Sequence, residues 1–215
     1  MKKIPTLFNR VFEGHNIVKI TPEVTPGLEW VLEDPGVIPT VKYDGSCCKV
    51  VSVSLGGIPV HVELWKRFDA KPGRNIPAGA IPCEPAPDPI TGHWPHWVKV
   101  SSTDPGDKWF IRAFNNGPMC KDCRMVTGTY EAVGRHFQGN PYDLSNDYLV
   151  RHGDDVIKDL RMSFDGIREW LETHNEEGIV FWYDGEPVCK IKRSDFGLPW
   201  PKNGGNADAK KRQAF

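Results

Sequence analysis

Lys42, Tyr43, Asp44 and Gly45 stand together in one short run of the chain. On a strand, Lys42 and Asp44 point to the same face, and Gly45 lets the chain turn tightly beside them. A lysine in a cleft becomes a nucleophile when its ammonium loses its proton, which nearby positive charge or desolvation promotes. Taken alone, the tetrapeptide is also what a strand end with a surface lysine, a salt bridge and a glycine turn looks like. Farther along, Glu176-Glu177-Gly178-Ile179-Val180 sets a carboxylate just before an apolar strand. Lys190-Ile191-Lys192 then places two lysines on one sheet face, with an apolar residue facing the other way. Such lysines repel unless something anionic lies between them. A triphosphate meets that need, and lysine, a compact hydrated charge, suits the role. The other reading of the pair is the solvated face of an edge hairpin.

These residues need strands to hold them. Alternation runs over residues 40–53, with the Asp44-Gly45 step able to turn one strand into another. A second pair, residues 51–55 and 59–64, is joined by Gly56-Gly57. Residues 69–95 carry six prolines between Pro72 and Pro89 and read as a long loop. Strand character returns over 97–100 and 126–133. Ser163 is the expected N-cap of a helix over 163–174, whose Ile167, Trp170 and Leu171 share one face. Directly after it, 178–183 reads as a buried strand, Asp184-Gly185 as its turn and 188–192 as its return. The expected fold class is α+β, built mainly on antiparallel sheet with few helices. Residues 1–202 are read as one catalytic domain and 203–215, with Lys210-Lys211-Arg212, as a mobile basic tail.

Composition narrows the function classes. A chain of 215 residues that is 39% hydrophobic can bury a sizeable core, which excludes disorder throughout. With 27 basic and 28 acidic residues, a nucleic-acid partner must be held by a local basic cleft. No apolar run is long enough to span a bilayer, and Asn9, Arg10 and Glu13 break the start too early for a signal peptide. The six cysteines lack the density of a secreted disulfide scaffold, so a cytoplasmic location is expected. Cys120 and Cys123 have metal-ligand spacing, but no second pair follows, which favours two free thiols on a loop. Cys47 and Cys48 are adjacent on a strand, so one is expected in the core. His93-Trp94-Pro95-His96-Trp97 can stack on RNA bases or anchor the long loop. Arg135, His136, Arg151 and His152 read as solvated surface, with phosphate tracking as the alternative.

Four of these stretches, in order, resemble motifs I, III, IV and V of the covalent nucleotidyltransferases: Lys42-Tyr43-Asp44-Gly45, Tyr130-Glu131-Ala132-Val133-Gly134, Glu177-Gly178-Ile179-Val180 and Lys190-Ile191-Lys192. They stand 89 residues apart from Lys42 to Glu131, 46 on to Glu177 and 13 on to Lys190. That superfamily includes ATP-dependent RNA and DNA ligases and the GTP-dependent mRNA capping enzymes. A closer resemblance is to the small single-domain RNA ligases related to the human 5′-phosphate/3′-hydroxyl RNA ligase. Lys66-Arg67-Phe68-Asp69, Thr91-Gly92-His93-Trp94-Pro95, Gln138-Gly139-Asn140-Pro141 and residues 195–201 carry it.

The resemblance implies that Lys42 takes AMP from ATP, passes it to a 5′-phosphate of RNA, and that a 3′-hydroxyl then displaces it. Lys190 and Lys192 would hold the α-phosphate and, by like-charge repulsion, help Lys42 lose its proton. Asp44 and Gly45 would orient the nucleophile side. Glu131 and Glu177 would contact the ribose or a metal-bound water, the metal being Mg²⁺ or Mn²⁺. Arg67, helped by Lys66, would contact the ribose or the RNA 5′-phosphate, and His93, Trp94 and His96 the RNA. Phe137 and Tyr142 are the candidates for stacking on adenine. Only 23 residues follow Lys192, too few for the oligonucleotide-binding barrel of DNA ligases and capping enzymes, so none is expected. The remaining alternatives are a minimal DNA ligase, an enzyme transferring AMP to another acceptor, and a non-catalytic binding relative.

Overall fold

The computed structural model describes residues 3–13, 16–56, 58–119 and 125–200. Along the chain come β1 (Phe8–Glu13), β2 (Asn16–Val24), β3 (Ile38–Lys42), β4 (Ser46–Leu55), β5 (Ile58–Ala70), β6 (Ile81–Pro82) and β7 (Trp94–Lys99). Helix α1 (Lys108–Asn116), β8 (Gly128–Val133), β9 (Tyr148–Arg151), α2 (Phe164–Thr173), β10 (Gly178–Tyr183) and β11 (Glu186–Lys192) follow. The fold is α+β and mainly antiparallel, as its residue patterns predict. The described residues divide into two compact units, one holding residues 45–152 with Lys3, the other residues 4–44 and 153–200.

The first unit holds a six-stranded antiparallel sheet in the order β6-β7-β5-β4-β8-β9. Alternation puts Cys48 and Val50 of β4, Leu64 of β5, and Tyr130 and Ala132 of β8 into one core with Leu149, Ala113 and Phe137. Trp109, Phe110 and Phe114 of α1 pack against that core. Helix α1 lies outside the elements read from the sequence. Its start is nevertheless written there: Asp104 accepts from the Gly106 N–H at 2.9 Å, and Pro105 opens the turn before the helix. The β4–β5 hairpin forms as expected. The long loop is shorter than 69–95, because β5 runs to Ala70 and β6 pairs with β7, which begins at Trp94. Cys47 and Cys48 are both buried. The expectation of one core cysteine therefore falls short.

The second unit holds a three-stranded sheet in the order β11-β10-β3 and a β1-β2 ribbon. Ser163 caps α2 as read, its hydroxyl accepting from the Gly166 N–H at 3.1 Å. The β10–β11 hairpin turns at Asp184-Gly185, both with positive φ. Val41, Ile179, Phe181, Cys189 and Ile191 are buried, as are Ile167 and Leu171 of α2. Each large apolar side chain so buried contributes about 1.5–3 kcal/mol. The Asp44-Gly45 step does separate two strands, but they do not pair: β3 joins β10, and β4 joins β5 and β8. Gly45 is required for a different reason from the tight turn. A Cβ there would lie 2.2 Å from the Ala132 carbonyl oxygen, so the residue permits a close backbone approach to β8. Cys120, Cys123 and the tail over 203–215 lie outside the described residues.

Candidate active site

Three strands of the second unit bring one lysine pair and one single lysine to a common sheet face. In the register, Gly178 of β10 stands between Lys42 of β3 and Lys192 of β11. Two residues on, Val180 stands between Thr40 and Lys190. The period of two therefore aligns Lys42, Lys190 and Lys192 on one face, while Val41, Ile179 and Ile191 fill the core on the other. Gly178 is what lets the row close. A Cβ there would sit 2.1 Å from the Ile191 carbonyl oxygen.

Glu177, buried at the start of β10, ties two of the lysines. Its Oε2 accepts from Lys42 Nζ, and its Oε1 pairs with Lys192 Nζ at 2.5 Å. Among the described residues no ion pair reaches Lys190. Burial first, then the charges of Lys42, Lys192 and Arg10, hold its ammonium down to about 8 against the pull of Glu177. The repulsion foreseen between the lysines thus falls visibly on Lys190. Strand β3 is pinned at its end, where the Tyr43 hydroxyl donates to Asp155 Oδ2 at 2.5 Å and Val41 N–H donates to the Asp155 carbonyl at 2.9 Å. β3 ends at Lys42, so strand alternation does not carry on to Asp44. That half-buried residue lies in the connecting segment.

In the first unit, Glu131 of β8 accepts from His152 Nε2 at 2.9 Å. Arg67 of β5 is exposed and donates to Asp69 Oδ2 at 3.2 Å. Lys66, its neighbour in sequence, points to the opposite sheet face and pairs with the buried Asp107 at the start of α1. The structure therefore does not bring Lys66 and Arg67 together.

Comparison with known proteins bears on these residues. The profile of the family described as RNA ligase 1 matches residues 119–211, which include Glu131, Glu177, Lys190 and Lys192. The zebrafish (Danio rerio) protein named RNA ligase 1 is 27% identical over 229 aligned positions, covering 75% of this chain and 68% of that protein. The orangutan (Pongo abelii) and rat (Rattus norvegicus) proteins of the same name are each 25% identical, covering 76% of this chain and 68% of theirs. Over about three quarters of its length the chain is similar to the RNA ligase 1 proteins.

Among the residues that this relationship makes interesting, several turn out to be interior. His96 is buried, with Nδ1 2.8 Å from the Trp94 carbonyl oxygen. Trp94 donates through Nε1 to the Glu84 carbonyl at 2.8 Å and so anchors the long loop. His93 is half-buried, its carbonyl accepting from Asp88 N–H at 2.9 Å. Phe137 and Tyr142 are buried, Phe137 edge-on to Phe110 with ring centroids 5.3 Å apart. Core packing accounts for Phe137, and neither ring presents a free face. His136 stacks on Trp109 and pairs with Asp147 at 2.8 Å, and so is held rather than solvated.

Sequence reasoning gave no site role to Arg10 or Asp155, because each meets its partner, Asp195 or Tyr43, far along the chain. Among the described residues no three His, Cys, Asp or Glu side chains gather as a metal site. Both Glu177 oxygens are engaged by lysines and Glu131 by His152. This donor set fits magnesium only as an ion that keeps most of its ligands from water and substrate phosphates, the usual manner of magnesium at nucleotide sites. No helix among the described residues is long and apolar enough to cross a membrane.

Proposed function

We propose that this protein is an ATP-dependent RNA ligase in which Lys42 carries AMP as a covalent intermediate. The observation that carries the reading is the face on which Lys42 and Lys192 flank Gly178 and Lys190 stands two residues along, with Glu177 between Lys42 and Lys192. The relatives named RNA ligase 1 support the same reaction class. Lys42 Nζ, having released its proton to solvent, attacks the α-phosphorus of ATP. A phosphorus–nitrogen bond forms, the bond to the bridging oxygen breaks, and pyrophosphate leaves. AMP then passes to the 5′-phosphate of RNA, and a 3′-hydroxyl displaces AMP as the strands join.

Each step is an in-line displacement at phosphorus, where positioning and charge neutralisation do most of the work. Glu177 sets the direction of Lys42, and Lys190 with Lys192 takes the α-phosphate oxygens. Bound magnesium or manganese would supply further charge neutralisation on the phosphates. Asp44 and Gly45 support the nucleophile segment. Glu131, held by His152, and Arg67 keep the ribose, metal-water and 5′-phosphate roles that the resemblance implies.

Intact-protein mass after incubation with Mg²⁺ and either ATP or GTP tests the reading. We expect a gain of one AMP with ATP alone, discharged by 5′-phosphorylated RNA but not by its DNA counterpart. Discharge by DNA would indicate a minimal DNA ligase, and discharge only by another acceptor a different AMP transfer. A GMP adduct would indicate capping chemistry. A folded protein with no adduct would be a binding relative.

A further inference from the structure

β1 brings a fourth cation near the lysines of β11, through a carboxylate that also holds Lys192. Arg10 donates from Nε and Nη2 to Asp195 Oδ1, at 3.0 and 2.7 Å. Asp195 is buried, and its other oxygen, Oδ2, accepts from the Lys192 backbone N–H at 2.8 Å. One carboxylate thus fixes both the guanidinium and the backbone of a site lysine. The chain just before β1 is tied to the third lysine, since Leu7 N–H donates to the Lys190 carbonyl and Lys190 N–H to that of Pro5.

Two further observations concern where Arg10 is aimed. The β1–β2 register is irregular between Phe8 and Arg10, and an irregularity of this kind re-aims a strand side chain. About a quarter of the Arg10 side chain, 24%, stays exposed, and among the described residues no hydrogen bond uses its Nη1. A guanidinium held along one edge by a carboxylate keeps a second edge for phosphate oxygens. Its charge also adds to the repulsion on Lys190. An ion pair serving only to neutralise Asp195 has no need of that placement. A ligand more highly charged than a single phosphate does.

We infer that Arg10, set by Asp195, binds the pyrophosphate portion of the nucleoside triphosphate. The inference rests on the nucleotide-binding reading of the lysine face. It confines Arg10 to the first step, since the pyrophosphate has left before AMP reaches RNA. Asp195 is then a positioning residue for both Arg10 and Lys192.

The test compares ligands with and without a pyrophosphate. Calorimetric titration of the full chain with α,β-methylene ATP, which cannot transfer AMP, is set against titration with AMP, both with Mg²⁺. Arg10→Ala is expected to weaken the methylene analogue about tenfold, the scale of one charge-assisted phosphate contact, and to leave AMP unchanged. Sealing of RNA supplied already 5′-adenylylated should proceed at the wild-type rate. Arg10→Lys keeps a charge against Asp195, so its fold is safeguarded, yet it loses the fork and should show the same selective loss. Equal weakening of both ligands, slower sealing of adenylylated RNA, or no change with the methylene analogue would each overturn the inference. Wild-type protein that binds neither nucleotide would instead overturn the ligase reading itself.

Discussion

In the six-stranded sheet, basic side chains meet carboxylates of their own: Lys66 with Asp107, Arg67 with Asp69 at 3.2 Å, Lys99 with Glu63 at 2.5 Å. Lys49, which has no such carboxylate among the described residues, lies over the rings of Trp65 and Trp97, 5.6 and 5.2 Å from their centroids. In the three-stranded sheet, Lys42 and Lys192 share the single carboxylate of Glu177, and among the described residues Lys190 has no ion pair. Matched charges of the first kind are satisfied by the fold. Unmatched ones of the second kind oppose it. The contrast supports the ligand site proposed on the lysine face, because charge drawn partly out of water without a partner is unfavourable.

Substitutions in the two sheets should therefore fail in different ways. Lys42→Ala should abolish the nucleotide adduct entirely while circular dichroism stays unchanged; an adduct that persists would place the nucleophile elsewhere. Lys66→Met should act through stability instead. It leaves Asp107 buried without its cation, at a cost of about 3 kcal/mol in denaturant unfolding, and protein that still folds should form adduct normally. Loss of adduct in folded Lys66→Met would blur the distinction between the sheets.

Lys190→Met sharpens the comparison in the opposite sense, since removing an unmatched charge should stabilise the unliganded protein. The gain at pH 7 should be on the order of 2 kcal/mol. Lys190 ionises at about 8 in the fold against 10.5 ordinarily, so across that window the unfolded chain binds more protons. Wild-type stability therefore rises with pH there, and the gap to Lys190→Met should close between about pH 8 and 10.5. A gap that stays constant across that range would remove the repulsion from the account. Smallest is the effect expected of Arg67→Ala, about a tenfold loss in RNA sealing with adduct formation less affected. Equal losses in both would move Arg67 to the ATP step.

The helix after Ser163, the β10–β11 hairpin and the alternation that groups Lys190 with Lys192 could all be read in advance. Their signals are local: a hydroxyl cap, a period of two, an Asp-Gly turn, charges at fixed spacing. The ribbon β1–β2, strand β9 and helix α1 carry weaker patterns. Helix α1 lies outside the elements read from the sequence, although Asp104-Pro105 marks its start. Glycine was read correctly as necessary at position 45 but for the wrong reason, because a close approach to Ala132 involves residues far along the chain.

By itself, then, the sequence determined which residue types could do chemistry and the alternation that puts Lys190 and Lys192 on one side of a strand. The tertiary structure decided which charges would find partners. Register across three strands set Lys42 and Lys192 on either side of Gly178, while packing elsewhere sent Lys66 to Asp107 rather than to the side of Arg67 and brought Arg10 to Asp195. Pairing energies depend on distances between groups remote in sequence, and only the folded chain fixes those distances.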